Sequence, residues 1–143
     1  DTIIGKGRKC AIVTLVDRKS RYLRMGLVKR RTKEAVKEMI VSLLANHPVH
    51  TITCDNGKEF ADHKAVVKEL GAEVYFAHPY ASWERGTNEN TNGLIRQYFP
   101  KNTNFRELKH EEIAFVENRL NTRPRKCLSF CSPVVFLKNN GCT

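Results

Sequence analysis

The sequence predicts an α/β fold: an antiparallel three-strand meander extended by two parallel strands into a mixed five-stranded sheet, flanked by helices. Residues 1–28 hold three strand-like apolar runs separated by two short turn signals, the pattern of a meander. From Thr32 onward the apolar spacing changes to the helical period. Two later strand-like runs each follow a helical segment, so each is reached by a crossover and joins the sheet in parallel.

Asp1 to Ile4 reads as the end of a strand, and Gly5-Lys6-Gly7 as a turn. Cys10 to Val16 (CAIVTLV) is apolar almost throughout, as in a strand covered on both faces. Asp17-Arg18-Lys19-Ser20 is the second turn, and Arg21 to Val28 alternates as the third strand. Thr32 is positioned to cap a helix whose stripe is Ala35, Val36, Met39, Ile40, Leu43 and Leu44. Asn46-His47-Pro48 ends it. Val49 to Cys54 is the fourth strand, stopped by Asp55-Asn56-Gly57. A helix from Asp62 to Leu70, closed by Gly71, leads to the last strand, Ala72 to Ala77. A helix around Lys109 to Leu120, a basic loop (Arg123-Pro124-Arg125-Lys126) and a short helix from Ser132-Pro133 complete the chain.

Between these lies His78 to Pro100, HPYASWERGTNENTNGLIRQYFP. Leu94, Ile95, Tyr98 and Phe99 recur at helical spacing, and Pro100 stops the run. Yet Thr87, Asn88, Asn90, Thr91, Asn92 and Gly93 are poor helix formers. A helix that gives up propensity over a whole turn points to function. With Glu89 at zero on a wheel of about 100° per residue, Arg85, Asn92, Gly93 and Arg96 fall within about 60° of it. Thr87, Thr91, Leu94 and Tyr98 fall opposite, as the expected packing face. The competing reading is a solvated face with charge pairs one and two turns apart.

The 143 residues suit one domain. Apolar residues make up 41%, which excludes a disordered chain. Twenty-five Lys and Arg against 15 Asp and Glu leave a formal charge of +10, which favours a polyanionic partner such as nucleic acid. No apolar run approaches the ~18 residues of a membrane span. Five cysteines at irregular spacing, without C-x-x-C, argue against structural zinc or a disulfide framework and for reduced thiols inside a cell. Cys127 and Cys131 are expected to pack.

Three acids stand out. Asp55 ends the fourth strand, where α/β sheets gather ligands, although Asp-Asn-Gly is also a generic turn. Asp1 lies on the first strand, expected to neighbour the fourth. Glu89 is on the polar helix face. Two strand-borne aspartates and a helix-borne glutamate can converge on hard divalent cations. Asp17 reads as a turn residue, Asp62 as a helix cap, Glu84 as a first-turn charge, and Glu59 as a possible support behind the ligands. His78 stands at the mouth of this site, and Tyr80 and Trp83 either pack under the helix or stack on a base.

Asp1, Asp55 and Glu89, with the last two 34 positions apart on a meander-first α/β chain, resemble the ribonuclease-H-like core of transposases and retroviral integrases that use two aspartates and a glutamate. More narrowly, IIGKGRK, TLVDRKSRYL, TCDNGKEF, HPYASWERGTNENTNGLIRQYFPK and LNTRPRK, in that order, resemble bacterial insertion-sequence transposases of the family numbered thirty. The resemblance covers nearly the whole chain. It implies one catalytic core over residues 1–143, cut within its first strand and lacking an N-terminal DNA-binding region. The α-amino group beside Asp1 is then a possible competitor for a metal.

The activity implied is phosphoryl transfer on DNA: strand cleavage at element ends and joining of 3′-hydroxyls to target DNA. Asp1, Asp55 and Glu89 would hold two Mg²⁺ (or Mn²⁺) ions about 3.5–4 Å apart. Arg85, Asn88, Asn92 and Arg96 would hold the DNA backbone, with Arg123, Arg125, Lys126, Lys6, Arg8 and Lys9 as further contacts. The resemblance further implies a homo-oligomer when full length, no membrane partner, and a bacterial cytoplasmic setting with nucleoid association through DNA. The alternatives are a ribonuclease-H-like nuclease without strand transfer, and a captured core that binds DNA without catalysis.

Overall fold

Strands β1 (Thr2–Ile4), β2 (Ala11–Val16) and β3 (Leu23–Val28) form an antiparallel sheet in that order. The computed structural model describes residues 1–54, 63–76 and 86–140. Thr2 pairs with Val13, and Ala11 pairs in turn with Val28. The first turn needs left-handed backbone at Gly7 (φ 81°) and Arg8 (φ 58°). In the second, one Asp17 carboxylate oxygen accepts from the Ser20 amide and hydroxyl at 2.7 and 2.6 Å. Asp17 therefore holds the turn, as its sequence context predicts.

Helix α1 (Lys33–Leu44) starts where Thr32 Oγ1 accepts from the Ala35 amide at 3.2 Å. Then follow β4 (Thr51–Cys54), α2 (His63–Leu70) and β5 (Glu73–Phe76). Gly71 closes α2 at φ 66°, its amide donating to Val67 at 2.8 Å. The expected cap Asp62 lies outside the described residues. Helices α3 (Gly86–Tyr98), α4 (His110–Thr122) and α5 (Pro133–Asn140) complete the order, with one 3₁₀ turn at Lys126–Leu128 before α5. No helix among the described residues is long and apolar enough to cross a membrane.

The α/β class and element order are those the sequence predicts, but the strands group as three plus two. Strands β4 and β5 pair in parallel, Thr51 with Glu73 through Cys54 with Phe76. Among the described residues no ladder joins β4 to β1. Along β4, Cys54 is buried, Thr53 and Ile52 are partly so, and Thr51 is exposed. Cys54 shares a core with Ala11 and Val13, and Ile52 packs against it.

Alternation along β2 accounts for its continuous apolar run. Cys10 and Ile12 face one core, with Ile3, Leu23, Met25 and Leu27 beside them and Ile95, Phe99, Phe105, Ile113, Val116 and Leu120 above. Ala11 and Val13 face a second core, with Val28, Val36, Ile40, Cys54 and Val66. Asp1 and Thr14 extend the β1–β2 ladder: the Asp1 amine donates to the Thr14 carbonyl and the Thr14 amide donates to the Asp1 carbonyl, both at 2.8 Å. By parity their side chains share the face of Ile3 and Ile12, toward α3 and α4.

Helix α4 covers the outer edge of β3 with side chains. Buried Asn121 accepts from the Leu23 amide and donates to the Leu23 carbonyl, both at 2.8 Å. Glu117 accepts from the Met25 amide at 2.8 Å. These bonds satisfy backbone groups that an edge strand would leave open. Cys127 and Cys131 are exposed free thiols, contrary to the packing role expected of them.

Two outcomes follow. A β-carbon on Gly5 would stand 2.5 Å from Cγ of the fully buried Phe105 ring. Gly5→Ala should therefore cost about 1–3 kcal/mol, read as a lower denaturation midpoint at unchanged slope. Burial pushes the Glu117 carboxyl above its ordinary range, against the opposing pulls of the Met25 amide and Arg24. A raised folded pKa makes its stability contribution complete below about 4.5 and lost as pH rises through the folded value. Glu117→Gln keeps an acceptor for Met25, so it should raise the melting temperature at neutral pH and not in acid.

Candidate active site and nucleic-acid interface

Helix α3 forms in spite of its weak propensities because Thr91, Ile95 and Phe99 make a buried stripe against the first core. The Thr91 hydroxyl turns back to the Thr87 carbonyl at 2.9 Å, so this polar group is satisfied within the helix. The buried stripe is centred on Ile95, about 60° round the wheel from the expected packing face. Tyr98, expected to pack, is 38% exposed. This rotation brings Asn88 and Asn92 to the edge of the buried face and leaves Glu89 exposed.

Asn92 joins helix to sheet. Its amide nitrogen donates to Asp1 Oδ2 at 2.9 Å, and its amide oxygen accepts from the Thr14 hydroxyl at 3.2 Å. Asp1 Oδ1 accepts from the Thr2 amide at 2.9 Å. The Asp1 carboxylate is thus oriented from both sides. The Asp1 amine is committed to the Thr14 carbonyl, within the strand ladder.

Glu89 stands three residues before Asn92, in the first turn of α3. It makes no hydrogen bond or ion pair among the described residues. Asn88 Oδ1 is buried without a hydrogen-bond partner among the described residues. Asp1, Thr14, Thr87 and Asn88 line a cleft of about 600 Å³ between the first sheet and β4. Arg18 reaches across this cleft to the Thr53 hydroxyl at 3.1 Å. Asp55 directly follows buried Cys54, but Asp55 itself lies outside the described residues, as do Glu59, His78, Tyr80, Trp83, Glu84 and Arg85. Among the described residues no three metal-binding side chains cluster. The donors described are nonetheless hard oxygens: an oriented aspartate, an unpaired glutamate and an orphaned amide oxygen. They fit a magnesium-type cation.

Residues 1–82 match the integrase core domain family. The chain belongs to that family. It is 48% identical to the transposase for insertion sequence element IS4351 of Bacteroides fragilis, over 93% of this chain and 41% of the relative. It is 42% identical to the transposase InsI for insertion sequence element IS30A of Escherichia coli K12, over 92% of this chain and 35% of the relative. The chain therefore spans about two fifths or less of these relatives. The crystal structure of the catalytic core domain of BIV integrase superposes with a TM-score of 0.72 at 19% identity, covering 97% of this chain and 91% of that one, which shows the shared fold.

The basic residues of this integrase core divide into two groups. Arg96, expected on the DNA-facing side, turns inward. It donates to the Ile4 carbonyl at 2.9 Å and the Phe99 carbonyl at 3.4 Å, and lies 5.9 Å from the Phe105 ring centroid. Burial lowers its pKa. Arg96 ties α3 to the end of β1. Arg123 and Lys126 are exposed on the loop after α4, while Arg125 is half-buried.

Arg21 and Thr14 escaped the sequence reading. Arg21 donates to the Thr87 hydroxyl and fastens the second turn to the start of α3. Strand alternation from Ile12 would have placed Thr14 on the Asp1 face. Nothing periodic marks Arg21.

Asn92→Ala removes the bridge. It should cost about 1–3 kcal/mol in stability, because the Thr14 hydroxyl and Asp1 both lose a partner. It should also weaken Mn²⁺ binding, measured by titration calorimetry, by releasing the Asp1 carboxylate.

Proposed function

We propose that residues 1–143 are the catalytic core of a DNA transposase. The carrying observation is the Asn92 bridge, which holds the Asp1 carboxylate against the helix that bears Glu89 one turn earlier. Asp55, immediately after β4, is the third acid of the reading. Asp1, Asp55 and Glu89 would hold two Mg²⁺ or Mn²⁺ ions, whose chemistry is to activate the attacking oxygen and stabilise the leaving one.

The residues of the chain then have distinct tasks. Thr2 and Asn92 fix the direction of the Asp1 carboxylate. Glu89, exposed and with no competing partner among the described residues, would complete the ligand set from the solvent side. Asn88 and the exposed Arg123 and Lys126 would take backbone contacts to DNA, with Arg85 as a further donor from the sequence. In cleavage, water oxygen bonds to the scissile phosphorus, the bond to the 3′ oxygen breaks, and a 3′-hydroxyl and 5′-phosphate result. In joining, that 3′-hydroxyl attacks a target phosphorus and displaces the target's own 3′ oxygen. No covalent enzyme intermediate is needed. A larger protein acting as a homo-oligomer on element ends, in a bacterial cytoplasm and on its nucleoid, fits this reading.

The test pairs two assays: Mn²⁺-dependent nicking of supercoiled plasmid, and joining of a labelled 3′-hydroxyl oligonucleotide to plasmid. Glu89→Gln should lower both by about 10²-fold or more. Because Glu89 is exposed and makes no bond among the described residues, stability should change by no more than about 0.5 kcal/mol. Full activity in this variant would sink the metal reading. Nicking without joining would favour a nuclease, and binding without either a non-catalytic core.

A further inference from the structure

The loop after α4 has a shape its own stability does not explain. It is closed by backbone bonds: the Arg125 amide donates to Cys131 at 3.0 Å, and the Arg125 carbonyl accepts from Leu128 at 3.1 Å and Phe130 at 2.9 Å. Closing it requires two consecutive left-handed residues, Ser129 (φ 54°) and Phe130 (φ 66°). Such backbone costs about 1–3 kcal/mol at each non-glycine residue and persists where the surroundings enforce it. The result is a phenylalanine ring that is 71% exposed on a tightly held loop. It gains little burial in return, so the fold alone gives no reason for an aromatic side chain there.

The same loop carries an unbalanced cationic group. Arg123 and Lys126 are exposed, and Arg125 is half-buried with a buried Nε that has no hydrogen-bond partner. Burial lowers the Arg125 pKa, and the neighbouring Arg123 lowers it further, against Cys127, with a smaller lowering from Arg21. None of these three arginines forms an ion pair among the described residues. Arg21 is also bonded to Thr87, at the start of the helix that bears Glu89. Like charges held this close without a carboxylate are costly unless an anion joins them.

We propose that this corner binds an unpaired stretch of DNA, with Arg21, Arg123 and Arg125 on its phosphates and the Phe130 ring stacked on a base. Guanidiniums suit phosphate oxygens, and an exposed aromatic ring suits the face of a base freed from its partner. A paired duplex offers the phosphates but hides the base faces, so Phe130 discriminates between paired and unpaired DNA. The link through Arg21 and Thr87 places this contact beside the first turn of α3, next to the strand being processed. The inference rests on DNA being the substrate.

The test is fluorescence anisotropy of the chain with two probes: a blunt duplex, and the same duplex with an unpaired extension of about six thymidines. The extended probe should bind more tightly, and Phe130→Ala should reduce that preference by about fivefold or more while leaving blunt-duplex affinity unchanged. Phe130→Trp should restore it. Arg125→Gln should weaken both probes and lower the salt slope by about one. An unchanged preference in Phe130→Ala overturns the inference while leaving the transposase reading standing. The same holds if that variant dissociates an oligomer with the preference intact, since the ring would then belong to a protein contact. Failure of the chain to bind either probe would sink both.

Discussion

The rotation of α3 about its own axis decides which of its polar side chains meet the sheet, and one amide fixes that rotation. Asn92 donates to Asp1 and accepts from Thr14, residues paired across the β1–β2 ladder. A helix face could slide over an apolar sheet at small cost, since burial has no direction. Two hydrogen bonds from one side chain to two neighbouring strands remove that freedom. Ile95 then sits at the centre of the packing face, and Glu89 is carried out to solvent. The low helix propensity of the segment is offset by tertiary contact. Arg96 at the far end of α3, bound to the Ile4 carbonyl, fixes the same helix against the other end of β1.

Most of the frame was legible because it depends on period. The all-apolar CAIVTLV announced a strand covered on both faces, and the two cores on either side of β2 are that expectation realised. Thr32, Asp17 and Gly71 could be read because caps and turns are local. The wheel of α3 was harder. Thr87, Thr91, Leu94 and Tyr98 form a plausible apolar edge, and so do Thr91, Ile95 and Phe99; sequence periodicity cannot separate faces only about 60° apart. The structure separates them through a bond spanning 91 positions, which leaves no trace in any local window. Asn121 and Glu117, which complete the edge of β3 from α4, are hidden for the same reason.

The site was legible as chemistry and less so as geometry. Glu89 stood out because a lone acid among small polar residues is unusual for a helix, and its exposure without a partner among the described residues agrees with a ligand's role. The Asp1 nitrogen donates to the Thr14 carbonyl, so Asp1 continues the β1–β2 ladder. Asp55 directly follows β4, whose Cys54 lies in the core beneath the first sheet. The cleft of about 600 Å³ separates that strand from Asp1's, bridged by Arg18.

The excess positive charge is not spread evenly in its use. Arg96 serves the fold: its charge is partly desolvated, and carbonyls rather than carboxylates receive it. Arg24 lies 5.4 Å from the Tyr22 ring centroid and beside Glu117, so it too has internal partners. Arg123 and Arg21 both act on Arg125, against an opposing pull from Cys127, and none of the three arginines forms an ion pair among the described residues. A formal charge of +10 says only that a polyanion is favoured. The corner shared by the second turn, the start of α3 and the strained loop is where that preference meets an aromatic ring held in solvent, Phe130.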